Sequence, residues 1–389
     1  MKRIGIIDNL NDIRGFAESR FHVASAADIM AATGGNTGNV AFVFGLKQLI
    51  GNPTVRIEWH WKPESVRQHV DQIIVCCANQ IGAHADLGGW ADKLAAIDLP
   101  VTLVGLGAQA NSFNDQPDIP EGTRRFLAVV NALRVDPEHE NISVRGEFTK
   151  HTLARLETSA VATGCPSLLI SSTPNLGKDI LARQNAQPAQ RVAVAAGNPW
   201  HGPSAFLERE LVRLVDQQQG AYVLQHPESM LQFALGERDA LPDKTVRRFL
   251  EIYPDHPTLD ALLNWYRHHA YAFIDAPNWM NFLKRFDLVV GPRYHGVALG
   301  IQAGVAGCVY TIDSRTQELC DGTGIKSISV QSLRGMNPTE MVTASQWTEE
   351  DAMIFDKTRI KNANNFKLFL DRNNITPSTH LIKVFSKWN

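Results

Sequence analysis

Phe286-Asp287-Leu288-Val289-Val290-Gly291-Pro292-Arg293-Tyr294-His295-Gly296 is the stretch from which the rest of the chain is read. Leu288 to Val290 is a short apolar run ending at glycine, the pattern of a strand covered on both faces. The small residues from 297 to 306 predict a helix after it. In an open α/β sheet, ligands bind just beyond the carboxyl ends of the strands. Arg293 and His295 therefore stand where an anion and a proton-transfer group are expected.

Working outward, the same rhythm recurs. Short apolar or alternating runs at 4–7, 54–60, 72–78, 101–104, 142–144 and 167–170 predict strands, with helical patterns between them. The stretch 171–190 is rich in Ser, Thr, Pro, Asn and Gln, with room for a short helix at 180–183. A second strand series follows at 191–196, 221–225, 270–274, 288–290 and 307–312. Helices are predicted at 205–218, 243–253, 259–268 and 279–286, and a polar-amphipathic helical tail at 348–373. Strands alternating with helices give a mostly parallel sheet. The simplest architecture is two doubly wound α/β domains facing across a cleft: residues 1–175, a linker at 176–190, and residues 191–389 with the C-terminal helix. Such a cleft is the natural ligand site.

Composition narrows the function. A chain of 389 residues is too long for one core. A formal charge of −2 gives no electrostatic basis for binding nucleic acid. Thirteen histidines show no H-E-x-x-H spacing, and the five cysteines form no C-x-x-C, so no metal site and no redox motif are expected. Free buried thiols in a reducing cytoplasm are the reading for Cys76, Cys77, Cys165, Cys308 and Cys320. The start, Met1 to Asp8, reads directly as a strand and lacks the apolar stretch of a signal peptide. No run is long enough to span a bilayer.

Other strand ends carry chemistry. Thr33-Gly34-Gly35-Asn36-Thr37-Gly38-Asn39 precedes an apolar helix predicted at 40–50, so glycine backbone and a helix N-terminus meet there; a plain turn capped by Asn39 or Thr37 fits equally. Gln109 follows the 101–104 strand, with Asn79-Gln80 in the equivalent place after 72–78. Arg145 ends the 142–144 strand and offers a planar fork for phosphate or carboxylate. In the second half, Asn198, Gln225-His226, and Asp313 with Arg315 end successive strands. Cys165, in Gly164-Cys165-Pro166, has no partner base that the sequence names. Trp200, Trp265 and Trp279 are read as buried structural residues rather than sugar platforms.

In combination these pieces resemble the polysaccharide pyruvyl transferase family. The resemblance rests on Gly35-Asn36-Thr37-Gly38-Asn39, Val144-Arg145-Gly146, Gly164-Cys165-Pro166 and Arg293-Tyr294-His295-Gly296, from about residue 33 to residue 325. Three features depart from the family's pattern. Asn39 stands where it has Asp, Asn79-Gln80-Ile81-Gly82 stands where glycines are commoner, and the segment 6–33 is longer than usual. The resemblance implies a GT-B-like fold of two Rossmann-like domains. It also implies phosphoenolpyruvate as donor and co-substrate, with no other cofactor. The implied product is a pyruvate ketal on two hydroxyls of a sugar in a cell-surface or exported polysaccharide. The acceptor would be a sugar or a lipid-linked oligosaccharide, the latter bringing a cytoplasmic enzyme to the inner face of the membrane.

On this reading Arg145 and Arg293 clamp the donor and His295 is the general acid or base. Gly35, Asn36, Gly38, Asn39, Gln109, Asn198, His226, Asp313 and Arg315 are the candidate donor- and substrate-binding residues. Two competing readings share the fold. One is a nucleotide-sugar glycosyltransferase, with Asp313, Glu318 or Glu228 on a sugar hydroxyl and Arg293 on the diphosphate. The other is a glycan-binding protein without catalysis.

Overall fold

The computed structural model describes residues 2–11, 24–110, 115–186 and 189–385. Among these, twelve strands form two six-stranded sheets, every pairing parallel. The first sheet holds β1 (Ile4–Ile7), β2 (Thr54–Arg56), β3 (Gln72–Cys76), β4 (Val101–Leu106), β5 (Ile142–Val144) and β6 (Val161–Ala162) in the order β2-β1-β3-β4-β5-β6. The second holds β7 (Val192–Ala195), β8 (Ala221–Val223), β9 (Ala270–Tyr271), β10 (Leu288–Gly291), β11 (Ala306–Thr311) and β12 (Ser327–Ser329) in the order β12-β11-β10-β7-β8-β9. Helices surround both sheets, which explains the buried central strands: β1, β3, β4, β7, β10 and β11 are apolar and covered along their length. The fold is the expected GT-B-like pair of Rossmann-like domains.

The strand orders locate the site. In the second sheet the chain winds outward through β7, β8 and β9, then restarts on the other side of β7 with β10. The switch point lies between β7 and β10, where their carboxyl ends open a crevice. The first sheet has its switch between β1 and β3.

Several expectations are corrected. The run 167–170 is not a strand but a 3₁₀ turn, Pro166–Leu169. Pro166 sets the backbone for a turn, and the segment lies under the helix Asn39–Leu49, where a Cβ on Gly45 would sit 2.5 Å from the Pro166 carbonyl oxygen. Its carbonyls go to side chains: Arg359 Nε donates to Leu168 at 3.2 Å, and the His380 ring contacts the Leu169 carbonyl at 2.9 Å. The sixth place is taken by β6, too short and polar in its flanks to stand out. The helix after β10 begins at Tyr294 rather than near 297, which makes Arg293 its N-cap and puts His295 in its first turn. The helix expected at 279–286 is Ala276–Leu283, started by Asp275, whose side chain accepts from Asn278 N. The polar stretch around 180 holds a full helix, Leu176–Ala186.

The end of the chain returns to the first sheet. The 24-residue helix Glu349–Arg372 packs on Leu176–Ala186 and donates from Asn365 to the carbonyl of Ala162 in β6 at 3.2 Å. The helix Thr379–Phe385 lies against Asn39–Leu49. Among the described residues no helix is long and apolar enough to cross a membrane.

Candidate functional site

A cavity of about 670 Å³ opens where the carboxyl ends of the two sheets face each other. From the first domain it is lined by the residues after β1, β3, β4 and β5 and by the loop 34–39; from the second, by those after β7, β8, β10 and β11. Of the residues singled out from sequence, Gly35, Asn36, Asn39, Gln109, Arg145, Asn198, His226, Arg293, His295, Asp313 and Arg315 all line it. Gly38 stands just behind: a Cβ there would lie 3.3 Å from that of His295 and 2.5 Å from Gln225 Oε1, so only glycine lets the loop close on the second domain. Thr37 completes that closure, donating from N to the Gln225 carbonyl and from Oγ1 to that of Leu224, both at 3.2 Å.

Arg145 is 3% exposed and held on each of its nitrogens, with one N–H on each of Nη1 and Nη2 left over. Nε donates to Gly105 O at 2.8 Å, Nη1 to Asn79 Oδ1 at 3.0 Å and Nη2 to Cys77 O at 3.3 Å, and the guanidinium lies 5.4 Å from the Phe42 ring centroid. The ends of β3 and β4 thus fix the fork offered by the end of β5. Arg293 is held more loosely. Nη2 donates to His226 O at 3.0 Å, while Nε is buried without a partner. Burial, helped by the nearby charge of Arg315, pulls its guanidinium down to about 10, so it stays charged at neutral pH.

His295 lines the same cavity. Its ring packs 5.3 Å from that of Phe42, and Nε2 sits 3.6 Å from Cys165 Sγ, itself 3.1 Å from Ser167 Oγ. Cys165 is a buried thiol as expected, but its neighbouring base, unnamed by the sequence, is His295. Burial first, then Arg145 and Arg315, push His295 well below the usual histidine range, so the imidazole is neutral at pH 7. His226 is lowered too, by burial and by Arg293; its Nδ1 lies 3.2 Å from the Gly35 carbonyl.

Other positions serve the frame. Asp313 lines the cavity but caps the helix Ser314–Thr323, accepting from Thr316 N at 2.8 Å, and pairs with Arg315 at 3.2 Å. Asn39 Nδ2 donates to Thr33 O at 2.8 Å, and the side chains of Asn36 and Asn198 accept from Gly38 N and Trp200 N. Glu318 ties the domains together, accepting from Thr149 N at 2.6 Å and from Thr149 Oγ1 at 2.9 Å. Glu228 does not line the cavity. Trp265 and Trp279 are buried, but Trp200, expected to be buried, is 38% exposed.

Asn79, His201 and Gln225, which stand in or beside strand ends singled out from sequence, line the cavity as well, and sequence reading missed Asn9 and His84. Asn9 follows β1 by two residues, so the strand-end rule would have found it. His84 sits in a loop with no local signal. With Arg145, Arg293 and Arg315 against Asp313, the cavity carries more positive than negative charge, which suits a small polyanion.

No curated protein matches the chain in sequence. Solved structures similar to it include S. aureus MnaA with UDP (12% identity, 97% of this chain and 99% of that one, TM-score 0.48). Anabaena Alr3699/HepE with UDP and glucose is similar at 11% identity, over 100% and 98% of the two chains, with TM-score 0.43. The Neisseria meningitidis UDP-GlcNAc 2-epimerase bound to UDP-GlcNAc is similar at 9% identity, over 96% and 99%, with TM-score 0.46. Identities this low say nothing about ligands. The sequence model named polysaccharide pyruvyl transferase matches residues 36–314, from the glycine loop through the arginine, cysteine and histidine positions described above, and the chain belongs to that family.

Proposed function

We propose that this protein transfers the pyruvate unit of phosphoenolpyruvate onto two hydroxyls of one sugar in a polysaccharide or its lipid-linked precursor, forming a ketal and releasing phosphate. The observation that carries this is the convergence of Arg145 from one domain and Arg293 from the other on a single cavity that a neutral His295 also lines. The donor carries a phosphate and a carboxylate on one small frame. Two guanidinium forks held by separate domains fix both its position and its orientation.

The proton balance fits one imidazole. The first sugar hydroxyl adds to C2 of the donor and loses its proton, while the methylene carbon gains one and becomes methyl. The second hydroxyl then displaces phosphate, and its proton leaves with phosphate. A neutral His295 starts as a proton acceptor. The bound donor's negative charge favours the imidazolium, which can then supply the methylene carbon. On this reading the enzyme works on the cytoplasmic side, and a lipid-linked acceptor draws it to the membrane face.

The reading is tested with ¹³C-labelled phosphoenolpyruvate and a panel of methyl hexopyranosides, followed by NMR and phosphate release. A new ketal methyl signal with stoichiometric phosphate is the expected result. Transfer of sugar from a nucleotide sugar, with phosphoenolpyruvate untouched, would sink it in favour of the glycosyltransferase reading.

A further inference from the structure

Behind the second domain's part of the cavity lies a carboxyl group that the mechanism above does not use. Glu208, on the helix Ala205–Gln217, is 0% exposed. Tyr222 OH donates to its Oε2 at 2.5 Å, Tyr222 and Tyr253 hydroxyls are 3.1 Å apart, and Tyr266 OH donates to Tyr253 OH at 3.3 Å. Its Oε1 presses on Gly197, whose N–H faces the carboxyl and where a Cβ would come within 2.0 Å of it and within 2.7 Å of Pro292 Cγ. Gly197 and Pro292 are the residues immediately before Asn198 and Arg293, both of which line the cavity. So the carboxyl lies beneath both turns at the β7/β10 switch point.

Packing gives no reason for an acid here. A buried carboxyl among tyrosines is costly unless its charge is answered. The cation that faces it is Arg293, itself left with a buried, unpartnered Nε. The groups around Glu208 are Tyr222 from β8, Tyr253 and Tyr266 from the two following helices, the Gly197 N–H, and Arg293, beyond which stand Arg315 and Asp313.

We propose that Glu208 is the positioning residue for Arg293, a buried counter-charge that sets the strand-end guanidinium and takes up a proton when an anionic donor occupies the cavity. This rests on the donor reading given above. Burial already raises the Glu208 carboxyl to about 7, opposed by the Tyr222 hydrogen bond and then by the charge of Arg293. A dianion on Arg293 weakens that last opposition and adds repulsion, so the carboxyl shifts further toward its neutral form. By linkage, donor affinity then falls as pH rises above neutrality.

The test is calorimetric titration of the full chain with phosphoenolpyruvate at pH 8, in two buffers of different ionisation enthalpy, for wild type, Glu208→Gln and Tyr222→Phe. His226 and His295 face the same ligand, so the readout is the difference between wild type and variant. The expected result is that wild type takes up roughly half a proton more than Glu208→Gln. The wild-type affinity should also fall severalfold per pH unit between pH 7 and 8.5, a slope that Glu208→Gln flattens and Tyr222→Phe moves to higher pH. Equal proton uptake and equal slope in wild type and Glu208→Gln would overturn this inference while leaving the donor reading intact. No binding of phosphoenolpyruvate by wild type would overturn both.

Discussion

The two arginines that line the cleft from opposite domains are held by different means. Arg145 has a protein partner on each guanidinium nitrogen and is almost wholly buried. Arg293 has one bond, to the His226 carbonyl, and a buried Nε with none. Arg145 is therefore part of the frame, and its loss exposes unpaired carbonyls of Gly105 and Cys77. Arg293 keeps donor capacity for a ligand. A strand-end arginine is legible in sequence as an anion binder; how much of it is left for the anion is decided by tertiary partners.

The comparison can be broken from several sides. His295 lines the same cavity, and His295→Ala should lower turnover about a hundredfold or more, the usual scale for lost acid–base help. Retention of near wild-type kcat would remove it from the chemistry. Next in size, Arg293→Lys should weaken the donor by about tenfold or more with little change in Tm, because a point charge replaces a fork. Arg145→Lys should weaken the donor and also lower stability by about 1–3 kcal/mol, the cost of leaving buried acceptors unpaired. If both variants lose stability equally, the division between frame and binding arm is wrong. Smaller still, Thr149→Val deletes one of the two bonds Glu318 accepts across the domains and also the acceptor of Ala108 N, and should cost about 1–3 kcal/mol in a denaturant series.

The pH dependence sharpens the same contrast. His295 is depressed in the folded state, so its contribution to stability is present above the unfolded value near 6.5 and is lost as pH falls below it. Glu208 is raised from 4.5 to about 7, so its contribution is present below 4.5 and is lost as pH rises through 7. Thermal scans should therefore show His295→Gln flattening the acid side and Glu208→Gln flattening the decline as pH rises through neutrality. Scans in which neither variant changes its limb would contradict the burial of both groups as ionisable side chains.

What the sequence made legible follows from burial. Central strands such as Leu288–Gly291 are apolar because helices cover both faces, and their carboxyl ends announce Arg145, Arg293 and His295. The segment 167–170 carried the same apolar signal for another reason: it is buried beneath Asn39–Leu49 as a turn whose carbonyls are served by Arg359 and His380. Apolar content records burial, not hydrogen-bond pattern. His84 and Glu208 stayed hidden because only tertiary packing brings them to the site. Asp313 was legible as a strand-end carboxylate, yet local capping by Thr316 takes most of its bonding.

The most direct test of the central claim is calorimetric titration with phosphoenolpyruvate, with UDP in parallel, on wild type and Arg293→Ala. The account predicts saturable phosphoenolpyruvate binding by wild type that is lost in Arg293→Ala. Binding of UDP with silence toward phosphoenolpyruvate, or phosphoenolpyruvate binding that Arg293→Ala leaves unchanged, would contradict it.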